Sequence, residues 1–321
     1  MKLWPKPLPT LSGLPFTKTL TEILIWVAMV TPLAMYGISS LRRPPRQPVT
    51  NQPLFQGITY SRHIENAPRP QVIHILEIDL TEPGLKPFVT PGITGARLNE
   101  DEQPTHETLA QRTSHFLQKH QLQVAINANF FYLFWEEAPW NYGPSAGDPV
   151  NLVGLAISDT QLVSETDANY PALCFLSQQA EINENGQCPD GTQQAIAGTA
   201  LILEGSNPTE NAQPVPAGQQ EKPYPLNIAA LNASGTRIWL VLSDGKQPLY
   251  SEGTTLPEAA ALLQNLGAAI ALQLDGGGST TLAIATDTSP KLLNAVIHTK
   301  LPGHERPVAN QLGFFANPIS P

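Results

Sequence analysis

The chain is poor in charge, in sulfur and in room for helices. Only 14% of its 321 residues are charged, it carries two cysteines and three methionines, and 32 prolines interrupt it. A quarter or so of residues is the usual charged share, so a chain built on ion-pair networks or long solvent-facing helices is excluded. Two cysteines without nearby Cys or His partners exclude a zinc ribbon or finger. No basic patch exists outside the N-terminal region. Residues 1–50 hold Lys2, Lys6, Lys18, Arg42, Arg43 and Arg46 against Glu22, leaving 12 basic and 26 acidic residues for the body. An acidic body of that kind argues against nucleic acid as a partner.

What is present divides the chain into four stretches. Residues 1–22 are a short basic tail. Residues 23–41 form an apolar run of 19, near the ~20 needed for a helix to cross a bilayer. Lys18 precedes this run and Arg42-Arg43 follow it, and no small-x-small cleavage site stands out. The expectation is an uncleaved membrane anchor, with a removed signal segment as the alternative, and a body outside the cytoplasm. Residues 42–69 are rich in proline and polar groups and read as a linker. Residues 70–318 remain for one domain.

Within the body, Val72–Leu80, Leu122–Ile126, Leu152–Ile157, Ala195–Leu203, Arg237–Leu242 and Ala269–Leu274 read as strands, with Thr281–Ala285 as a return strand. Thr105–His120 reads as a helix with Leu109, Phe116 and Leu117 inward. The clearest helix follows Thr255, where Thr255 and Glu258 match a capping box and Gly267 suits the stop. Asn207–Pro225 reads as an exposed loop. Cys174 and Cys188 flank the turn signal Asn183-Glu184-Asn185-Gly186 and are expected to close a disulfide in an oxidising compartment, the alternative being two buried thiols. Strands outnumber helices, and the predicted fold is mixed α+β: mainly antiparallel β-sheet with a few packed helices.

The run Leu274-Asp275-Gly276-Gly277-Gly278-Ser279-Thr280-Thr281 carries the strongest functional signal. Three successive glycines cost conformational entropy and are expected where another group approaches the backbone closely; their amides can also cradle an anion. A tight turn capped by Asp275 is the plain alternative. No Gly-Lys-Ser/Thr follows, so the run is not a P-loop, and no helix follows, so it is not a dinucleotide fingerprint. Ser279 lacks the Gly-x-Ser-x-Gly elbow of a serine hydrolase.

Together with Ser251-Glu252-Gly253-Thr254-Thr255-Leu256 ahead of it, this block resembles the signature of the phosphodiester glycosidase family. Asn127-Ala128-Asn129-Phe130-Phe131, Ala197-Gly198, Asp244-Gly245 and Glu305-Arg306-Pro307-Val308-Ala309-Asn310 resemble further family segments, in order, over roughly residues 70 to 318. Two departures stand out. Ala128 and Asn129 occupy positions where glycines are expected, and Pro225-Leu226-Asn227 stands where many members carry Pro-Arg-Thr, removing a natural phosphate clamp.

The resemblance implies a hydrolase that frees a sugar from a sugar-1-phosphodiester in a cell-surface or exported glycoconjugate, working without a cofactor. Glycoside cleavage calls for an acid and a second carboxylate. Asp275 is the first catalytic candidate, Glu305 the second and Asp244 the third. Arg306 is expected on the phosphate, Asn127 and Asn129 on sugar hydroxyls, and Ser279, Thr280 and the amides of Gly276, Gly277 and Gly278 on phosphate oxygens. Trp135, Trp140 and Tyr142 are candidates to stack on sugar faces, and His304 for proton transfer. Each has a plainer alternative: a turn for Asp244, a mutual or surface pair for Glu305 and Arg306, backbone satisfaction for the asparagines, loop packing for the aromatics. A non-catalytic glycan-binding module on the same scaffold is the competing function, and a metal-dependent phosphoesterase using Asp244 and Asp275 the third.

Overall fold

A computed structural model of the chain describes residues 15–93, 107–138, 141–214 and 221–319. Among these, three helices stand beside many short strands: α1 (Pro15–Ser40), α2 (Thr113–His120) and α3 (Leu256–Leu266). The central sheet has eight strands. In spatial order they are Val49–Phe55, Ile58–Glu65, Gln71–Asp79, Arg237–Ser243, Asn227–Leu231, Ile270–Gln273, Ala200–Glu204 and Asn207–Pro208. Each neighbour pair is antiparallel.

Both faces of this sheet are covered, which is why its strands read as nearly continuous apolar runs. Ile73, Ile75, Ile228, Ala230, Trp239 and Val241 point to one side, where α3 covers them with Ala259, Ala260 and Leu263. Leu76, Ile78, Ala229, Leu240 and Leu272 point to the other, into the main core. Two five-stranded antiparallel sheets close that core. One runs Lys291–Leu292, Leu282–Ile284, Val124–Asn127, Gln311–Phe315, Lys86–Val89; the other contains Ala172–Phe175, Ala180–Asn183 and Gln194–Ala197. Helix α2 packs outside the first of these through Phe116 and Leu117 against Phe88, Ala125 and Ala283. The expected mixed, mainly antiparallel α+β fold is the observed one.

Several local readings change. Residues 42–69 are not an extended spacer: Val49–Phe55 and Ile58–Glu65 form a hairpin at the edge of the central sheet. Pro53 concealed it, yet an edge strand tolerates proline, and the burial of Ile58, Tyr60 and Arg62 shows the period of two. The helix expected from Thr105 begins at Thr113. Thr108–Leu109 instead pairs with Pro149–Leu152, leaving Leu109 48% exposed, while residues 105–106 lie outside the described ones. The run Leu152–Ile157 is split at Gly154 (φ +74°) into strands ending at Leu152 and starting at Ala156.

Ala195–Leu203 is likewise two strands in two sheets. The chain turns at Gly198, where a Cβ would sit 2.3 Å from the Gln273 carbonyl oxygen. Leu282–Ile284 is not the return partner of Ile270–Gln273; it pairs with Val124–Asn127 across the core. The glycine run is therefore a crossing between sheets, not a hairpin.

Helix α3 is as expected, with the Thr255–Glu258 capping box and Gly267 left-handed at its end (φ +86°). Cys174 and Cys188 form a disulfide with Cα atoms 5.6 Å apart. The hairpin beside it turns between Phe175 and Ala180, and the expected turn at Asn183–Gly186 follows, closed by the Gly186 amide donating to the Asn183 carbonyl at 3.2 Å. The 207–225 stretch holds a short strand and a 3-10 turn at Glu210–Ala212, and its residues 215–220 lie outside the described ones.

Helix α1 contains a 20-residue apolar stretch, Thr21–Ser40, of mean hydropathy 1.7. Its Ile23, Leu24, Trp26, Leu33 and Ile38 are all more than half exposed. Such a helix, together with the disulfide, fits a secreted or membrane-anchored protein.

Candidate active site

Arg237–Ser243 and Ile270–Gln273 both run antiparallel to the Asn227–Leu231 strand between them, so they are parallel to each other and end at the same rim of the sheet. Asp244 follows one and Asp275 the other. Pro225 lies between: a Cβ on Gly245 would meet its ring at 2.8 Å, and a Cβ on Gly276 would meet its carbonyl oxygen at 2.6 Å. Close approach, rather than an unusual φ, makes both Asp-Gly pairs require glycine.

The remaining glycines have separate reasons. Gly277 takes φ +66°, and a Cβ there would meet the Tyr224 hydroxyl at 2.7 Å; a Cβ on Gly278 would meet the Arg306 guanidinium at 2.5 Å. The triple glycine is thus a seat for a phenol and a guanidinium. Its amides are mostly turned inward. Those of Gly277, Ser279 and Thr280 donate to the carbonyls of Pro225, Gly276 and Gly277, while that of Gly276 lies against the Asp275 carboxyl.

Asp275 is 7% exposed, and burial pushes its carboxyl up to about 7 against the opposing pull of the Ser279 hydroxyl, Arg306, the Gly276 amide and Lys246. Its Oδ2 is buried with no hydrogen-bond partner in the protein. A buried carboxylate oxygen left unpaired is costly and points to chemistry rather than architecture. Around it, Arg306 Nη1 donates to Ser279 Oγ at 3.3 Å and its guanidinium stacks 4.8 Å from the Phe134 ring centre. Opposite, Lys246 Nζ donates to the Tyr224 hydroxyl at 2.8 Å.

The other predicted residues are arranged around this corner. Asn127 is fully buried. Its Nδ2 donates to the Asp275 carbonyl at 2.6 Å, and its Oδ1 accepts from the Thr281 amide at 3.0 Å. Asn129 holds the Val153 and Leu155 carbonyls and accepts from the Ala197 amide and Asn310. Both therefore grip the protein's own chain. Asn227 joins them, donating to the Asn127 carbonyl at 2.7 Å. Leu226, where a clamp arginine was sought, packs in the apolar cluster under α3 with Ile228. Thr280 is buried with its hydroxyl unpaired.

Glu305 receives the Ser114 amide at 2.8 Å and the Ser114 hydroxyl at 2.5 Å, capping the first turn of α2 from a distant part of the chain. Burial raises its pKa against those bonds. Asp244 and His74, both side chains 0% exposed, pair at 3.0 Å; Asp244 also accepts from the Ala295 amide, and His74 Nδ1 meets the Tyr60 hydroxyl at 2.8 Å. Desolvation lifts Tyr60 to about 12. Among the described residues no group of three or more His, Cys, Asp and Glu side chains is placed to hold a metal ion.

Beside Arg306 opens a cleft of about 630 Å³ lined by Glu305, His304, His298, Tyr142 and Arg112 among others. Arg306 Nε lies 3.3 Å from His298 Nδ1, and the Tyr142 ring stands 5.4 Å from that of His298. Trp135 donates to Asn141 within a small hairpin, and Trp140 lies outside the described residues. Sequence reasoning missed Lys246, Tyr224 and His298. The first two border the Asp244-Gly245 and Pro225 positions it singled out, so their adjacency was the available signal.

The chain matches the phosphodiester glycosidase family profile over residues 120–315, more than half of its length. Among solved structures it resembles the catalytic domain of zebrafish N-acetylglucosamine-1-phosphodiester alpha-N-acetylglucosaminidase, auto-inhibited by its pro-peptide. That likeness has a TM-score of 0.56 at 17% identity, covering 86% of this chain and 87% of that one. A hypothetical protein from Synechocystis gives 0.55 at 16%, covering 85% of this chain; the chain spans 64% of that protein's length. A putative exported protein from Burkholderia pseudomallei gives 0.51 at 16%, covering 78% and 75%. These identities speak to the fold alone. No curated protein sequence matches.

Proposed function

Because this chain belongs to the phosphodiester glycosidase family, we propose that it is a hydrolase freeing a sugar from a sugar-1-phosphodiester, with Asp275 as its acid. The observation that carries this reading is the Asp275 carboxyl: buried, shifted to about 7, with Oδ2 unpaired and two cations, Arg306 and Lys246, acting on it. Those cations suit a bound phosphodiester, and they answer the absence of an arginine at position 226. An anion beside Asp275 would raise its pKa further, leaving the carboxyl protonated and ready to donate.

The step is then defined. The bond between the anomeric carbon and its phosphate oxygen breaks, Asp275 donates its proton to that oxygen, and water supplies the new oxygen at the sugar while losing a proton. Glu305, the carboxylate lining the cleft, is the proposed acceptor of that proton, oriented by Ser114. Arg306 and Ser279 hold phosphate oxygens. Asn127, Asn129 and Asp244 act as positioning residues. Helix α1 serves as a retained anchor with the body on the extracytoplasmic side, which the disulfide supports. The zebrafish relative's name specifies N-acetylglucosamine, which makes that sugar the first to try.

The test is a panel of sugar-1-phosphodiesters with wild type and Asp275→Asn. Wild type should release free sugar and a phosphomonoester, with kcat/KM falling as pH rises through about 7. The variant should lose at least ~100-fold, as expected for a positioned acid. Saturable sugar binding with no release by either protein would establish a glycan-binding module instead.

A further inference from the structure

We propose that the cleft opens on a membrane surface and that its substrate is lipid-borne: a sugar joined through a phosphodiester to a membrane lipid. This rests on the hydrolase reading above and names its substrate class.

Arg42, two residues beyond Ser40, lines the same cleft as Arg112, His298, His304, Tyr142 and Glu305. Gly303 (φ +72°) admits it, since a Cβ there would meet the Arg42 Cβ at 2.8 Å. The chain that follows has no slack. Arg43 donates to Gln247 at 2.7 Å and to Tyr36 at 2.8 Å, and stacks on Tyr250. Pro44 accepts from the Tyr250 hydroxyl, Pro45 from Arg62, and Arg46 grips Glu65 and Asn66. A span fixed in this way sets the body's orientation to the bilayer.

Two residues reach no more than about 7 Å. The headgroup layer is about 5–7 Å deep on each side of the hydrocarbon. Arg42, and the cleft wall it forms, therefore lie at headgroup level. Two arginines, Arg42 and Arg112, line the cleft with Arg306 beside it, while Ser114 engages the Glu305 carboxyl, so the cleft suits a phosphodiester rather than a neutral glycan. Tyr132, Leu133, Phe134 and Trp135 are 52%, 47%, 42% and 39% exposed, and Phe134 contacts Arg306, whose neighbours Glu305 and Pro307 line the cleft. Exposed aromatic and apolar side chains next to an arginine match the composition of a membrane interface.

The experiment compares two diesters of one sugar, the best of the panel above, using the full chain in nanodiscs. One has a long-chain lipid aglycone embedded in the bilayer and the other a methyl aglycone in water. We expect kcat/KM at least tenfold higher for the lipid diester, and a loss of fivefold or more on that substrate in Arg42→Gln. A methyl diester cleaved as well as the lipid one, or Arg42→Gln without effect on the lipid diester, overturns this inference and leaves the hydrolase reading standing. Release of sugar from neither diester, for any sugar of the panel, overturns the hydrolase reading and this inference with it.

Discussion

Asp244 and Asp275 leave the same sheet at the same rim, each followed by a glycine pressed against Pro225, and each nearly sealed from solvent. Their partners differ. Asp244 has His74 on one oxygen and the Ala295 amide on the other. Asp275 is pushed toward neutrality by burial and keeps Oδ2 without a protein partner. Equal burial therefore yields opposite roles. A carboxylate whose bonds are satisfied fixes the strands around it, whereas one left incomplete holds a proton available for exchange.

The largest expected effect that separates them is on stability. Asp244→Ala leaves His74 buried without its carboxylate, and breaking such a pair costs ~3–5 kcal/mol. Chemical denaturation should show this loss; a variant as stable as wild type would break the contrast. Asp275→Asn should do the reverse. The raised carboxyl takes up a proton on folding, so wild-type stability falls as pH rises from about 4 to about 7, and the amide escapes that penalty. At pH 8 the variant should gain on the order of 2 kcal/mol or more, shrinking to nothing below pH 4, read from Tm against pH.

The smallest effect tests what the two sites share. Gly245→Ala and Gly276→Ala each force a methyl against Pro225 and should each cost ~1–3 kcal/mol. Under the proposed function only the second should also lower kcat, because that corner carries the proposed acid.

The sequence showed the Asp275 block, the capping box of α3 and the strand-rich fold, because each is a local pattern with a local cause. Three things were hidden. The hairpin at 49–65 was masked by prolines that an edge strand can hold. The crossing at 275–281 looks like a hairpin because a run of glycines does not announce which sheet receives the chain. The reason for each glycine lay in residues distant in sequence: Pro225, Tyr224 and Arg306. For Asn127 and Asn129 the sequence left sugar binding and backbone satisfaction both open, and only the fold shows that backbone groups claim their amides.

The seat made by Gly276, Gly277 and Gly278 also bears on engineering. The Pro225 carbonyl at Gly276 and the positive φ of Gly277 leave little room for a side chain at either position. The stretch 131–135 stands largely outside the core. A library confined to that stretch could search for new aglycone preferences of the proposed hydrolase while the Asp275 corner is inherited unchanged, separating what is accepted from how it would react.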